Sequence, residues 1–71
     1  MNPTVRINCR DIDWQNSLRS MLREKKDADL TNVNIEYDRE YLEQLAKKEE
    51  LFFTYDSETN TGFFRKEKLN L

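Results

Sequence analysis

Histidine is absent from this 71-residue chain, and glycine, proline and cysteine occur once each. Without histidine, the chain lacks the commonest general base, the histidine-dependent nucleophile pairs and the usual nitrogen ligand of zinc. The single glycine also excludes a glycine-rich loop of the kind that cradles phosphates. We therefore expect no enzymatic activity, no cofactor and no metal site.

Two pairs of aspartates are the nearest approach to a metal site in the sequence. Asp11 with Asp13, and Asp27 with Asp29, offer carboxylate oxygens of the kind that Mg²⁺ prefers. Such pairs arise readily by chance in a chain with 14 acidic residues. We interpret them as helix-capping and connecting residues.

Charge and hydropathy restrict the kinds of partner and the cellular compartment that we expect for this chain. The net charge is −2, which does not match the strong positive charge of a typical nucleic-acid binder. No apolar run approaches the roughly 20 residues that span a bilayer, and no signal-peptide core follows Met1. The lone cysteine, Cys9, excludes an internal disulfide and fits a reducing compartment. We expect a cytoplasmic protein that does not bind membranes.

The length of the chain predicts one domain, residues 1–71, with a small core. Charged residues make up 37% of the chain, but so do hydrophobic ones, and these include four phenylalanines and three tyrosines. Periodic apolar segments predict a folded domain. Because a core of this size gives marginal stability, oligomerisation is a natural way to add to it.

Residues 51–66, LFFTYDSETNTGFFRK, contain all four phenylalanines and the only glycine. Two aromatic segments flank a polar run that ends in glycine, which is the pattern of a β-hairpin with a longer loop. Asn60 or Gly62 is expected to adopt the positive φ that such a loop requires.

Each strand of this hairpin carries two adjacent phenylalanines, which must point to opposite faces of the sheet. Phe53 is placed inward and Phe52 on the other face. Burying one phenylalanine contributes roughly 1.5–3 kcal/mol, so both faces are expected to be covered. Helices can cover one face and the chain ends the other, or one face can bind a partner or a second copy.

The first part of the chain predicts a strand and a helix. Residues 4–10 alternate apolar and polar side chains, as in a half-buried strand. Cys9 shares the apolar side of this strand, so we interpret it as a core residue and not as a nucleophile. Apolar residues then recur at helical spacing, which predicts a helix at about 13–26. Asp11 or Asp13 can cap its start.

The middle of the chain predicts a second strand and a second helix. Residues 27–31 are interpreted as a connection, and the alternation in 32–37 predicts a strand. Its inward residues are Val33, Ile35 and Tyr37. Strand, helix and strand with short links favour a right-handed crossover with parallel strands. Asp38 is then expected to cap a helix at about 39–49.

Together these segments predict an α+β domain in the order β-α-β-α-β-β. Two helices pack on one face of a small mixed sheet that ends in the aromatic hairpin. The predicted core contains Val5, Ile7, Trp14, Leu18, Leu22, Ile35, Leu42, Leu45, Phe53 and Phe63.

The expected function is that of a small protein-interaction module, such as a regulator, an inhibitor or an antitoxin-like protein. It is expected to form a heteromeric complex or a homodimer through the aromatic hairpin, the acidic face of the second helix, or both. The candidate partner-binding residues are Phe52, Tyr55, Phe64, Arg65, Lys66, Glu40 and Glu43.

An alternative function is binding of RNA or single-stranded nucleic acid. The strip at residues 63–68 combines aromatic side chains for base stacking with basic side chains for phosphate contact. Its members are Phe63, Phe64, Arg65, Lys66 and Lys68. The acidic residues of the second helix weigh against this function, because phosphates repel them.

Overall fold

A computed structural model describes residues 4–67 of the chain. Within that range the elements are β1 (Val5–Asn8), α1 (Trp14–Arg23), β2 (Ala28–Thr31), α2 (Ile35–Lys48), β3 (Phe52–Asp56) and β4 (Thr61–Arg65). The four strands form one sheet in the order β1-β2-β4-β3. The α+β class and the β-α-β-α-β-β order predicted from the sequence are confirmed.

The sheet is mixed. β1 and β2 are parallel, as expected for two strands joined through a helix. β3 and β4 form the antiparallel hairpin, and β4 also pairs antiparallel with β2. The last described strand therefore lies inside the sheet, while β1 and β3 form its edges.

The predicted strand at 32–37 is wrong. β2 occupies Ala28–Thr31, where a connection was expected. Asn32 has a φ of 55°, a left-handed conformation that ends the strand. Val33 is buried from the loop that follows, and Tyr37 is 82% exposed instead of inward.

The starts of both helices differ in detail from the sequence prediction. α2 begins at Ile35 with Asn34 in the N-cap position, and Asp38 lies in its first turn. Asp13 occupies the N-cap position of α1, but its side chain makes no capping hydrogen bond. Its backbone carbonyl accepts a hydrogen bond from the N–H of Ser17 instead.

The core lies between the sheet and the two helices. Its buried residues are Ile7, Leu18, Leu22, Ala28, Leu30, Val33, Leu42, Leu45, Ala46, Leu51 and Phe64. Five predicted core residues are among them: Ile7, Leu18, Leu22, Leu42 and Leu45. Four more are half-buried against this cluster: Val5, Trp14, Ile35 and Phe53. The tenth predicted core residue, Phe63, lies on the opposite face of the sheet, away from this cluster.

Candidate interaction surface

The sheet has two unlike faces. Cross-strand partners share a face, so the register places Phe53 beside Phe64, next to Ala28 and Val5, beneath the helices. We call this side the covered face. The opposite side, which we call the open face, carries Arg6, Asn8, Asp29, Thr31, Phe52, Thr54, Asp56, Thr61, Phe63 and Arg65. Both described helices pack on the covered face.

The hairpin register assigns Phe63 and Phe64 to faces opposite to those predicted. Phe64 pairs with Phe53 and has no exposed surface, so it belongs to the core. Phe63 pairs with Thr54 on the open face and is half-buried. This corrects both the assignment of Phe64 to a partner surface and that of Phe63 to the core. The composition of the two strands does not determine loop length, and a one-residue slip exchanges the faces.

Phe52 and Phe63 form an aromatic patch on the open face. Phe52 stands opposite Arg65, two positions along β4 from Phe63, so the two rings are diagonal neighbours. Phe52 is 46% exposed. Large aromatic side chains that remain exposed on a sheet face are typical of interfaces.

Arg65 neutralises the centre of the open face. Its Nη2 lies 2.7 Å from Asp29 Oδ1, although the N–H is not aligned for a hydrogen bond, since that oxygen has no hydrogen-bond partner within residues 4–67. The guanidinium also lies over the Phe63 ring, 5.4 Å from its centroid. Nη1 donates to the carbonyl oxygen of Phe64 at 2.9 Å. Both members of the ion pair keep less than a fifth of their side chains exposed, so Arg65 is largely committed to contacts within the chain.

Tyr55 lies on the covered face and not beside Phe52. It pairs with Gly62, and its hydroxyl hydrogen-bonds to the side-chain oxygen of Asn60. The Arg39 guanidinium of α2 lies over its ring at 6.0 Å. Tyr55 is half-buried in this position.

Gly62 serves close packing and not a left-handed turn. Asn60 takes the positive φ of the hairpin loop, at 56°, and the glycine itself has none. A Cβ at position 62 would lie 2.9 Å from Cε1 of Phe53, which is too close for an ordinary contact. The only glycine of the chain therefore makes room for an aromatic ring on the covered face.

The predicted acidic helix face is exposed but partly paired. Glu43 Oε1 accepts a hydrogen bond from Arg39 Nη1 at 3.4 Å, and Glu40 accepts one from Gln44 at 3.4 Å. Lys66 is exposed just after β4. Lys68, the last member of the basic strip, lies outside the described residues. Glu40 and Glu43 lie on the second helix, on the side of the sheet opposite Phe52.

Cys9 is half-buried against the core, as its strand position predicts. Burial, with a smaller contribution from the negative charge of Asp38, raises the pKa of the Cys9 thiol from 9.0 to about 11. The thiol is protonated at neutral pH, which makes it a poor nucleophile. Within residues 4–67 no three acidic or cysteine side chains cluster closely enough to hold a metal ion.

Sequence reasoning missed the contribution of Asp29 to the open face. Residues 27–31 carry two aspartates, so they lack the apolar character of a central strand, yet Ala28 and Leu30 are both fully buried. The alternation of these two small and apolar residues with polar neighbours was the available signal. It is short, because the strand has four residues.

Neither helix, nor any other part of residues 4–67, offers an apolar helical segment of the length that crosses a bilayer. Comparison with protein-family models, with curated proteins and with solved structures finds no match to this chain.

Proposed function

We propose that this chain is a non-enzymatic protein-interaction module that binds a partner protein through the open face of its sheet. The observation that carries the proposal is the exposure of Phe52, beside Phe63, on the side of the sheet opposite both helices. Burying such aromatic side chains is a main source of binding energy at protein interfaces. Regulation or inhibition of the partner is the corresponding cellular role.

The charges of the open face support an uncharged partner surface. Two arginines, Arg6 and Arg65, balance two aspartates, Asp29 and Asp56, so these four residues sum to zero. The Arg65–Asp29 pair already satisfies the central charges. A complementary partner would therefore present apolar and neutral polar groups to Phe52 and Phe63, with few charges at its centre.

The alternative, a platform for single-stranded nucleic acid, draws less support from the same residues. Stacking on Phe63 would require the base to displace the Arg65 guanidinium, which lies over that ring. Arg65 would also have to leave Asp29 to reach a phosphate. A neutral face provides little of the counterion release that drives such binding. Nucleic-acid binding is therefore an outcome for the experiment to exclude.

The test compares two substitutions that each remove one exposed apolar side chain. Phe52→Ser alters the open face, while Ile12→Ser alters a residue that is 98% exposed in the loop before α1. We expect a partner captured from the source cell by the wild type and by Ile12→Ser, but not by Phe52→Ser. With the purified partner, calorimetry should show that Phe52→Ser weakens binding at least about tenfold, or roughly 1.4 kcal/mol.

Three results would overturn or redirect the proposal. Equal affinity of Phe52→Ser and the wild type for the partner would remove the open face from the interface. Retention of single-stranded RNA, lost in Arg65→Gln, would favour the nucleic-acid function. A concentration-dependent dimer in sedimentation velocity that Phe52→Ser dissociates would make a second copy the occupant of the open face in place of another protein.

A further inference from the structure

The outer surface of the two helices contains a groove that the open-face proposal does not use. Contacts join the two helices near both ends of α1: Trp14 packs edge-on against Tyr41 with ring centroids 6.2 Å apart, and just beyond the helix ends Lys25 Nζ donates to the carbonyl of Glu49 at 2.9 Å. Between these bridges lies an open groove of about 390 Å³. It is lined by Arg19, Tyr41, Gln44, Leu45 and Lys48, and we call it the interhelical groove.

The interhelical groove is positively charged and has no carboxylate in its lining. The basic members of the ion pairs within residues 4–67 are Lys25, Lys26, Arg39 and Arg65. Neither Arg19 nor Lys48 is among them. Two positive charges thus face one groove without a negative counterpart in the described chain.

Arg19 is held in place by neutral partners. Its Nη1 donates to the Tyr41 hydroxyl at 3.2 Å, and its Nη2 donates to the side-chain oxygen of Asn16. These bonds fix the planar group in the groove while leaving its charge uncompensated. An arginine fixed in this way is well suited to bind a carboxylate, because little side-chain freedom is lost on binding.

The helix dipole explains the position of Lys48 but not that of Arg19. Lys48 is the last residue of α2, where a cation stabilises the helix C-terminus. Arg19 lies in the middle of α1, beyond the reach of that effect. Its position at the interhelical groove therefore calls for a different explanation.

We propose that the interhelical groove binds an acidic side chain, Asp or Glu, carried by an acidic segment of a partner protein. Arg19 and Lys48 contact the carboxylate, while Leu45 and the Tyr41 ring contact an apolar neighbour in the same segment. The site lies on the helical side of the molecule, opposite the open face. It goes beyond the proposed function and stands independently of it.

A carboxylate from a protein fits this groove better than the phosphate backbone of a nucleic-acid strand. The first ten residues of α2, 35–44, carry Glu36, Asp38, Glu40 and Glu43 against one arginine, Arg39. An RNA strand running along the helix would pass this negative stretch and be repelled. A single acidic side chain can instead enter the groove itself, where the lining contains Arg19 and Lys48 and no carboxylate.

The experiment titrates ¹⁵N-labelled protein with a capped hexapeptide of four glutamates and two leucines, and with its lysine analogue. We expect shifts of the Arg19 side-chain Nε and of the Tyr41 and Leu45 amides with the acidic peptide only. Raising the ionic strength should weaken the binding, because the groove is open to solvent. Absence of these shifts, or equal shifts with the lysine peptide, would overturn the proposal.

Matched substitutions locate the site. Arg19→Gln and Lys48→Gln should each weaken the acidic peptide about fivefold, the range expected of exposed charge pairs, while Arg10→Gln changes the net charge equally and should have no effect. Equal weakening by all three variants would indicate non-specific attraction and overturn the site. Stronger shifts of the same residues by oligouridylate would identify a phosphate site and also overturn it.

The two proposals can fail separately. Phe52→Ser should leave binding of the acidic peptide unchanged, because the substitution lies on the open face. Arg19→Gln should leave the open-face partner bound. If Phe52→Ser abolished peptide binding without unfolding the protein, the interhelical groove would not be the peptide site.

Discussion

Each face of the sheet carries two phenylalanines, but the two faces differ in how these aromatic rings are stabilised. On the covered face, Phe64 packs against Phe53 with ring centroids 5.1 Å apart and has no exposed surface. On the open face, Phe63 packs under an arginine and Phe52 remains nearly half exposed. The same residue type thus supplies core stability on one face and potential binding energy on the other.

The largest expected effect is a difference in stability between alanine variants of the two adjacent phenylalanines in β4, Phe63 and Phe64. Phe64→Ala should reduce the free energy of unfolding by about 3–5 kcal/mol, because it leaves a cavity in the core. Phe63→Ala should reduce it by only about 1 kcal/mol, because the ring is half-buried. Urea unfolding followed by Trp14 fluorescence measures both. Equal losses would mean that the open face is covered in solution and would contradict the comparison.

The next effect concerns the space that Gly62 leaves on the covered face. Gly62→Ala should destabilise the protein by about 1–3 kcal/mol, since the added Cβ overlaps the Phe53 ring at 2.9 Å. Thr61→Ala, at the neighbouring position on the open face, is the control and should change little. Thermal unfolding of Gly62→Ala in a Phe53→Leu background should show a smaller loss, because the ring is gone. An undiminished loss would point to a backbone cause.

A smaller effect is expected from the ion pair on the open face. Asp29→Asn should lower stability by about 1 kcal/mol, more than a fully exposed pair, because both side chains are largely covered. Arg65→Gln in the Asp29→Asn background should add little, so a double-mutant cycle should show coupling. Additive losses would indicate that the 2.7 Å contact does not persist in solution.

The smallest expected effect concerns the reactivity of Cys9, at the margin of the covered face. Its pKa of about 11 leaves roughly 100-fold less thiolate at pH 8 than a pKa of 9.0 would. Alkylation by iodoacetamide at pH 8 should therefore be at least about tenfold slower in the folded protein than in urea. Equal rates would show that the covered face opens readily at this margin.

The raised pKa of Cys9 also determines how the stability of the protein changes with pH. The folded-state pKa lies above the unfolded value, so the protonated thiol stabilises the native state. This contribution is fully present below pH 9 and is lost as the pH rises toward 11. Cys9→Ala should accordingly show a weaker loss of stability across that window in alkaline unfolding curves.

Much of the fold was predictable because regular alternation and helical spacing are strong where one side of an element is buried. The β1 strand, both helices and the hairpin follow from such patterns. The position of β2 did not, because its inward residues are only Ala28 and Leu30. Val33 and Ile35 gave a false strand pattern, since one is buried from a loop and the other begins a helix.

The candidate site was less predictable than the fold. Phe52 was placed correctly, because its neighbour Phe53 faces the core. The assignment of Phe63 and Phe64 required the number of loop residues, which depends on Asn60 adopting a positive φ. The charges on Arg65 and Arg19 were visible, but their partners, Asp29 and Tyr41, are 36 and 22 positions away along the chain. Only the tertiary structure brings such residues together.

The position of β4 inside the sheet has a consequence for how the molecule can be divided. The pairs Ala28 with Phe64 and Leu30 with Gly62 join a βαβα half to the hairpin along one strand edge, and α2 also packs against the hairpin on the covered face. A cut between α2 and β3 would therefore produce two fragments whose matching strand edges can reassociate without a covalent link. Mixing fragments 1–49 and 50–71 should restore native Trp14 fluorescence, and failure to do so would show that the link itself is required for folding. If the two fragments were fused to two other proteins, their reassociation could therefore report that those proteins are close together in solution.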